Sequence, residues 1–310
     1  MLLSTNFCMF EDRNWMYNNS ANYYGEGGNL RTIRLIRDAG ITAIDFNFNP
    51  YANKDKTAIN SIFLKDRWKN WIKEMRRIAD NEGMVFTQSH MILVLFFNPD
   101  DQFHITALAK ELESRIFESC NILGVNRIVY HPYTPQQMLA DGNMPAIREF
   151  NVEWISESAK KAAAFGLNIA VENADYCGYD PYNLAKLVDT INLPNVDVCL
   201  DTGHANITCK SPNSSFMNVE EAVHILGSRI KSLHVADNMG LIDQHLPPFY
   251  GNINWRGFIQ ALADISYNGN LNFECDTRNL PFELQSYAIQ GFVLSGLWLI
   301  RLFNEKKDKS

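Results

Sequence analysis

The chain has 310 residues, 46% of them hydrophobic, a formal net charge of −7 and an isoelectric point near 5.5. That length fits one (β/α)8 barrel of about 250 residues with extensions, so residues 1–310 read as a single domain. Neither a basic half nor a long charge block is present to suggest a nucleic-acid surface; the Lys-rich end, Lys306-Lys307-Asp308-Lys309, is short.

The N-terminal residues have no basic n-region and no cleavage site, and read as the approach to a first strand, Thr5–Phe10. A polar loop rich in Asn and Tyr follows, Trp15–Gly28, then a helix, Leu30–Asp38. Strand Ala43–Asn47 precedes helix Leu64–Glu82; strand Val85–Ser89 precedes helix Ile105–Leu123; strand Arg127–His131 precedes helix Ala146–Phe165. The alternation continues with Asn168–Glu172 and Asn183–Thr190, then Asp197–Asp201 and Val219–Leu226. It closes with Ile230–His234 and Trp255–Ala263, then Leu271–Glu274 and Leu284–Phe303. The strands are short apolar runs, and the helices carry apolar residues at helical spacing. Gly40, Gly83, Gly124 and Gly166 each follow a helix, where a left-handed residue ends the last turn. A second polar loop is expected at Asn206–Asn218, and long loops at strand C-terminal ends shape pockets. Eight alternations predict an α/β fold, a single (β/α)8 TIM barrel, over an open doubly wound sheet. No Gly-rich dinucleotide or P-loop fingerprint occurs.

The six cysteines form no C-x-x-C pair, imply no disulfide framework, and point to a reducing, cytoplasmic setting. The longest apolar runs are about seven residues, far below the roughly 18 of a membrane span, so no membrane is expected as a partner. The last helix carries Phe292, Leu294, Leu297, Trp298, Leu299 and Leu302. Ordinary packing explains most of that content, and a homo-oligomer contact is compatible with it.

Glu172, Asp201, His234 and Glu274 each close an apolar strand, at spacings of 29, 33 and 40 residues. Each residue alone has a bland role available: a solvated strand end for the glutamates, a helix N-cap for Asp201, a hydrogen-bonded structural imidazole for His234. Four in a row at successive strand ends are hard to explain that way. A barrel builds its site at those ends, and two Glu, one Asp and one His make a cage for a divalent metal. His90, His131, His204 and His245 also fall at or just beyond strand ends, and Asp243 stands two residues before His245. His104 and His224 fall on helices and read as structural or surface residues. Asn254 reads as the N-cap of the helix that begins at Trp255.

The segments Val198-Cys199-Leu200-Asp201-Thr202-Gly203-His204-Ala205-Asn206, Val171-Glu172-Asn173, Leu233-His234-Val235-Ala236-Asp237 and Asp243–Trp255 together resemble the xylose isomerase-like barrel superfamily. That superfamily contains sugar and sugar phosphate isomerases and epimerases, and the endonuclease IV type of DNA-repair enzyme. The resemblance covers nearly the whole chain. Its isomerase and epimerase members imply one divalent metal (Mn2+, Zn2+, Mg2+ or Co2+) on Glu172, Asp201, His234 and Glu274. The two glutamates would then double as the acid–base pair, working through a cis-enediolate on a small carbohydrate. His90, His131, His204, Asp243 and His245 would bind substrate or further metal. The endonuclease IV pattern implies three Zn2+ on all nine residues and cleavage of abasic DNA.

The loops disfavour nucleic acid as a partner. Trp15–Gly28 has no Lys or Arg, whereas phosphate contacts need several. Its Tyr17, Tyr23 and Tyr24, with Phe7, Trp15, Phe96 and Phe97, read as pocket walls or as core. Arg278 is the one candidate for a substrate oxygen or phosphate, with a surface ion pair as its alternative.

Overall fold

The computed structural model describes residues 1–7, 26–54, 59–92, 107–174, 178–212 and 214–307. Eight parallel strands form one sheet: β1 (Leu3–Asn6), β2 (Ala43–Asn47), β3 (Val85–His90), β4 (Arg127–Tyr130), β5 (Asn168–Glu172), β6 (Val196–Asp201), β7 (Ile230–His234) and β8 (Leu271–Phe273). They lie side by side in chain order, with β8 paired to β1. The remaining seam, β7 to β8, closes through Val235, which donates to Asn272 O and accepts from Glu274 N. The sheet is therefore the closed barrel expected from the alternation.

The helices between strands are α1 (Glu26–Asp38), α2 (Trp68–Asn81), α3 (Ala107–Leu123), α4 (Met144–Ala163), α5 (Pro181–Ile191), α6 (Val219–Leu226), α7 (Trp255–Asp264) and α8 (Phe282–Lys307). Their apolar faces and the outer face of the sheet share one core. Phe46 on β2 illustrates the packing: it stacks on Tyr51 at 5.5 Å between ring centroids and on Phe7 at 5.7 Å. Such pairs add about 0.5–1.5 kcal/mol beyond their area. Phe7 is thus a core residue and not a pocket wall. Gly166, at φ +69°, ends α4 as its position after the helix predicts.

Several boundaries differ from expectation. The region 206–210, read as loop, belongs to a short helix, Thr202–Lys210, because Asp201 caps the turn immediately after β6. β1 begins two residues early and ends at Asn6; Cys8–Phe10 lie outside the described residues. A hairpin, Ala52–Lys54 with Ile59–Ser61, and a short helix, Gln136–Ala140, had no sequence signal strong enough to find them. Trp15, Tyr17, Tyr23, Tyr24, Phe96, Phe97 and His104 also lie outside the described residues. Cys120, Cys199, Cys209 and Cys275 are buried free thiols.

Candidate active site

Strand register sets the first level of the site. β6 pairs with β7 so that Asp201 stands beside His234, and β5 pairs with β6 so that Glu172 stands beside Cys199. Glu274 follows β8 directly and is tied to Val235. These pairings bring ligand atoms of Glu172, Asp201, His234 and Glu274 within 4.8 Å of one another. All four are buried.

Buried acceptors face each other here. His234 Nε2 lies 3.2 Å from Asp45 Oδ2, and a carboxylate in that position can only accept, so Nε2 carries the proton. The lone pair on Nδ1 then points at Glu172 Oε2, 3.1 Å away, and Glu274 Oε2, 3.2 Å away. Glu172 Oε2, Asp201 Oδ2 and His234 Nδ1 are all buried with no hydrogen-bond partner. Converging lone pairs in a buried site are unfavourable unless a cation sits among them. A proton does part of that work: burial opposes charge on His234, but neighbouring acidic groups, including Glu172 and Glu274, outweigh it and push the imidazole well above its ordinary value. Three carboxylates and one imidazole suit a divalent cation better, so the residues fit the metal that the sequence implies.

Asp201 takes both roles weighed for it. Its Oδ1 accepts from His204 N at 2.6 Å as the N-cap, while its Oδ2 stays unpartnered toward the cage. Burial raises its pKa to about 7, with Glu172, Glu274 and Asp243 adding to the rise. Burial alone would also raise Glu172, but His234, His131 and His204 outweigh it and hold Glu172 well below the usual carboxylate range.

The five flanking residues join the same cluster. His90 Nε2 and His131 Nε2 lie 3.5 and 3.1 Å from Glu172 Oε2. His204 Nδ1 lies 3.3 Å from Glu172 Oε1, and its Nε2 lies 3.4 Å from Asp243 Oδ2. Asp243 Oδ2 also lies 2.9 Å from His245 Nε2. Burial lowers His131, so its ring is neutral at pH 7. His245 goes the other way: burial opposes its charge, but Asp243 and Glu274 raise it to about 9.

Orientation follows one rule. His90, His204 and His245 each donate Nδ1–H to a backbone carbonyl, of Met91, Asn173 and Glu274 respectively, at 2.7–2.9 Å. Each therefore turns Nε2 inward. Anchoring one ring nitrogen fixes the tautomer of the other, as metal- and substrate-binding imidazoles require. All nine residues singled out at strand ends are thus brought together. Arg278 is not part of the cluster: both arms of its guanidinium engage Asp276, at 2.8 and 2.9 Å.

Sequence reasoning missed the supports. Asp45, fully buried on β2, accepts from Gln88 and Asn272, both at 2.9 Å, besides His234. Asn6 donates to Glu274 Oε1 at 2.7 Å, which leaves Oε2 for the cage. Asn173 clips β5 to β6 through Asp201 N and O. Asp237 organises the loop bearing Asp243 and His245: it accepts from Trp255 Nε1 at 2.8 Å and from Phe249 N at 3.0 Å. Gly251 closes on that loop, and a Cβ there would stand 2.3 Å from Asn238 O. The signal for Asp45 was available, since a carboxylate in the middle of Ala43-Ile44-Asp45-Phe46-Asn47 breaks an apolar strand.

Residues 33–292 match the family described as xylose isomerase-like TIM barrel. The chain belongs to that family. An uncharacterised protein of Methanocaldococcus jannaschii is 32% identical over 152 residues, which are 47% of this chain and 50% of that one. The match therefore spans half the length of that relative. A D-psicose 3-epimerase of Ruminiclostridium cellulolyticum is 27% identical over 66% of this chain and 67% of its own. Among solved structures, a D-tagatose 3-epimerase-like protein superposes with a TM-score of 0.69 at 19% identity, over 99% of both chains. The IOLI protein, solved with a zinc atom, superposes with a TM-score of 0.67 at 17% identity, over 99% of both chains. The distant relatives with named activities are sugar epimerases, and at these identities the structural likeness is one of fold.

Proposed function

We propose that this protein is a divalent-metal-dependent epimerase of ketoses, with Glu172 and Glu274 as its acid–base pair. The observation that carries the reading is the convergence of both glutamates on one point, 3.1 and 3.2 Å from His234 Nδ1, from strands separated by two others. Metal binding alone would not need both of these carboxylates, which arrive at that point from different strands. The sugar epimerases among its relatives support the same class.

A metal on Glu172, Asp201, His234 and Glu274 would act as a Lewis acid, making the hydrogen next to a ketose carbonyl more acidic. The chain's own groups do the rest. One glutamate takes that proton, leaving an enediolate on the sugar. The other returns a proton to the opposite face, which inverts the carbon. Asn6 holds Glu274 Oε1, so the carboxylate cannot swing away during transfer. Neutral His131 and the inward Nε2 atoms of His90 and His245 supply hydrogen-bonding positions for hydroxyls. Arg278 is engaged by Asp276 and stands outside this set.

The test is proton exchange. The protein, supplied with Mn2+ in D2O, is given a panel of ketohexoses and ketopentoses and followed by NMR. Deuterium should enter at the carbon beside the carbonyl, with epimer formation. Glu274→Gln should slow entry at least about 100-fold, the lower range for general acid–base catalysis. Unchanged exchange in that variant would overturn the assignment, and no exchange of any ketose by the wild type would overturn the reaction class.

A further inference from the structure

Strand alternation turns Cys199 to the same face of β6 as Asp201, one level deeper in the barrel. Its register partner on β5 is Glu172. Its apolar neighbours are Val129 and Ala170, small side chains where barrel interiors usually carry bulky branched ones. The thiol is fully buried, and it does not stand apart from the cage. A carboxylate oxygen of Glu172, Cys199 Sγ and a ring nitrogen of His234 all lie within 4.8 Å of one another. Glu172 and His234 are also the two residues whose Oε2 and Nδ1 are buried without a hydrogen-bond partner.

We infer that Glu172, Cys199 and His234 form a second metal position, selective for soft divalent ions such as Zn2+ and Cd2+, that excludes the ion of the four-residue cage. Exclusion follows from sharing, because Glu172 and His234 belong to both sets of ligands. Selectivity follows from sulfur. Thiolate favours soft ions, whereas Mn2+ and Mg2+ prefer oxygen donors. One thiolate, one imidazole and one carboxylate, with the fourth position left to water, fall within the tetrahedral donor sets that zinc takes. Donors on one such ion stand about 3.4–3.6 Å apart, given bonds of about 2.0–2.3 Å, so small side-chain shifts close the set. Binding breaks the Cys199 S–H bond, forms a sulfur–metal bond and releases one proton to solvent.

The competing role for Cys199 is that of a small apolar core residue, the usual one for a buried thiol. The other three described cysteines fit that role. Cys120 Sγ lies 3.2 Å from Ser89 Oγ, Cys209 Sγ lies 3.2 Å from Asn206 O, and Cys275 Sγ lies 3.5 Å from the carbonyls of Val235 and Leu246. Each sulfur is thus engaged by a neutral oxygen. Cys199 instead faces a carboxylate and an imidazole that both have an unpartnered buried atom, and packing alone gives no reason for that company. The inference rests on the cage being a metal site and not on the reaction assigned to it, so its test reads ligation and never turnover.

The experiment loads full-length protein with Mn2+ and titrates it with Zn2+ or Cd2+. Released Mn2+ is read by electron paramagnetic resonance, and the zinc-loaded protein is measured by X-ray absorption at the zinc edge. Mn2+ should leave one for one, and the zinc shell should contain one sulfur at about 2.3 Å beside nitrogen and oxygen. Cys199→Ala should lose that sulfur, and its preference for Cd2+ over Mn2+ should fall by at least about tenfold, since sulfur is what separates the two ions. Cys199→Ser, which keeps the size of the side chain, carries the same expectation if the alanine variant fails to fold. A zinc shell of nitrogen and oxygen alone, a sulfur that persists in the variants, or zinc that binds without releasing Mn2+ would each overturn the inference. Those outcomes leave the cage standing, whereas a chain that binds neither Mn2+ nor Zn2+ would overturn both.

Discussion

Asp45→Asn isolates the support beneath the metal ligands. Asp45 touches no part of the cage except His234, yet its Oδ2 gathers three donors from three strands: Gln88 Nε2, Asn272 Nδ2 and His234 Nε2. Asparagine keeps the shape but replaces a charged acceptor with a neutral one, and charge-assisted bonds are about twice as strong as neutral ones. If the amide oxygen takes the Oδ2 position, the NH2 must occupy the Oδ1 position, which is buried and has no partner in the wild type. Burying that donor unsatisfied costs about 1–3 kcal/mol of folding stability. Meanwhile His234 loses the anion that fixes Nε2–H, so Nδ1 is less firmly presented. Outer partners of ligating histidines typically hold 10–100-fold in metal affinity, or about 1.4–2.7 kcal/mol. The assay is calorimetric titration of chelator-stripped protein with Mn2+, paired with urea unfolding of the same samples. Gln88→Ala is the control, since it removes a donor to Asp45 and leaves the carboxylate on His234. The reasoning fails if Asp45→Asn binds Mn2+ within threefold of wild type, or if Gln88→Ala weakens binding as much.

Elemental analysis of the purified protein should find one divalent metal per chain, carried on Glu172, Asp201, His234 and Glu274; three zinc ions per chain would turn the reading toward phosphodiester cleavage. The metal-free protein should lose thermal stability between pH 6.5 and 9. His245 has its folded pKa raised to about 9, so its contribution is complete below the unfolded value near 6.5 and is lost as pH climbs through 9. His245→Asn should flatten that slope in a melting series from pH 6 to 9.5, and an unchanged slope would count against the Asp243–His245 pairing. Trp255→Phe removes the donor to Asp237 Oδ2 and should lower unfolding free energy by about 1.5–3 kcal/mol, as for hydrogen bonds to charged groups. A loss under about 0.5 kcal/mol by urea titration would show that Asp237 does not depend on it.

What the chain declared by itself was periodic and local. Eight apolar runs alternating with helical patterns identify a barrel because each run must be buried on both sides. Glu172, Asp201, His234 and Glu274 stand out because a polar side chain ending such a run falls at the mouth whatever the rest of the fold does. The capping of Thr202–Lys210 by Asp201 was half visible, since an N-cap and a ligand carry the same sequence signature; only the structure divides its two oxygens between the tasks. The supports were decided by closure. Asp45 and Asn6 sit within strands near the N-terminus, and nothing local says that their side chains point into the barrel toward residues 189 and 268 positions away. The same holds for the imidazoles. Their identities are written in the sequence, but which nitrogen faces inward depends on carbonyls and a carboxylate that only the tertiary structure brings within reach. Local order can therefore name the ligands, whereas the buried partners that orient them exist only once the sheet has closed.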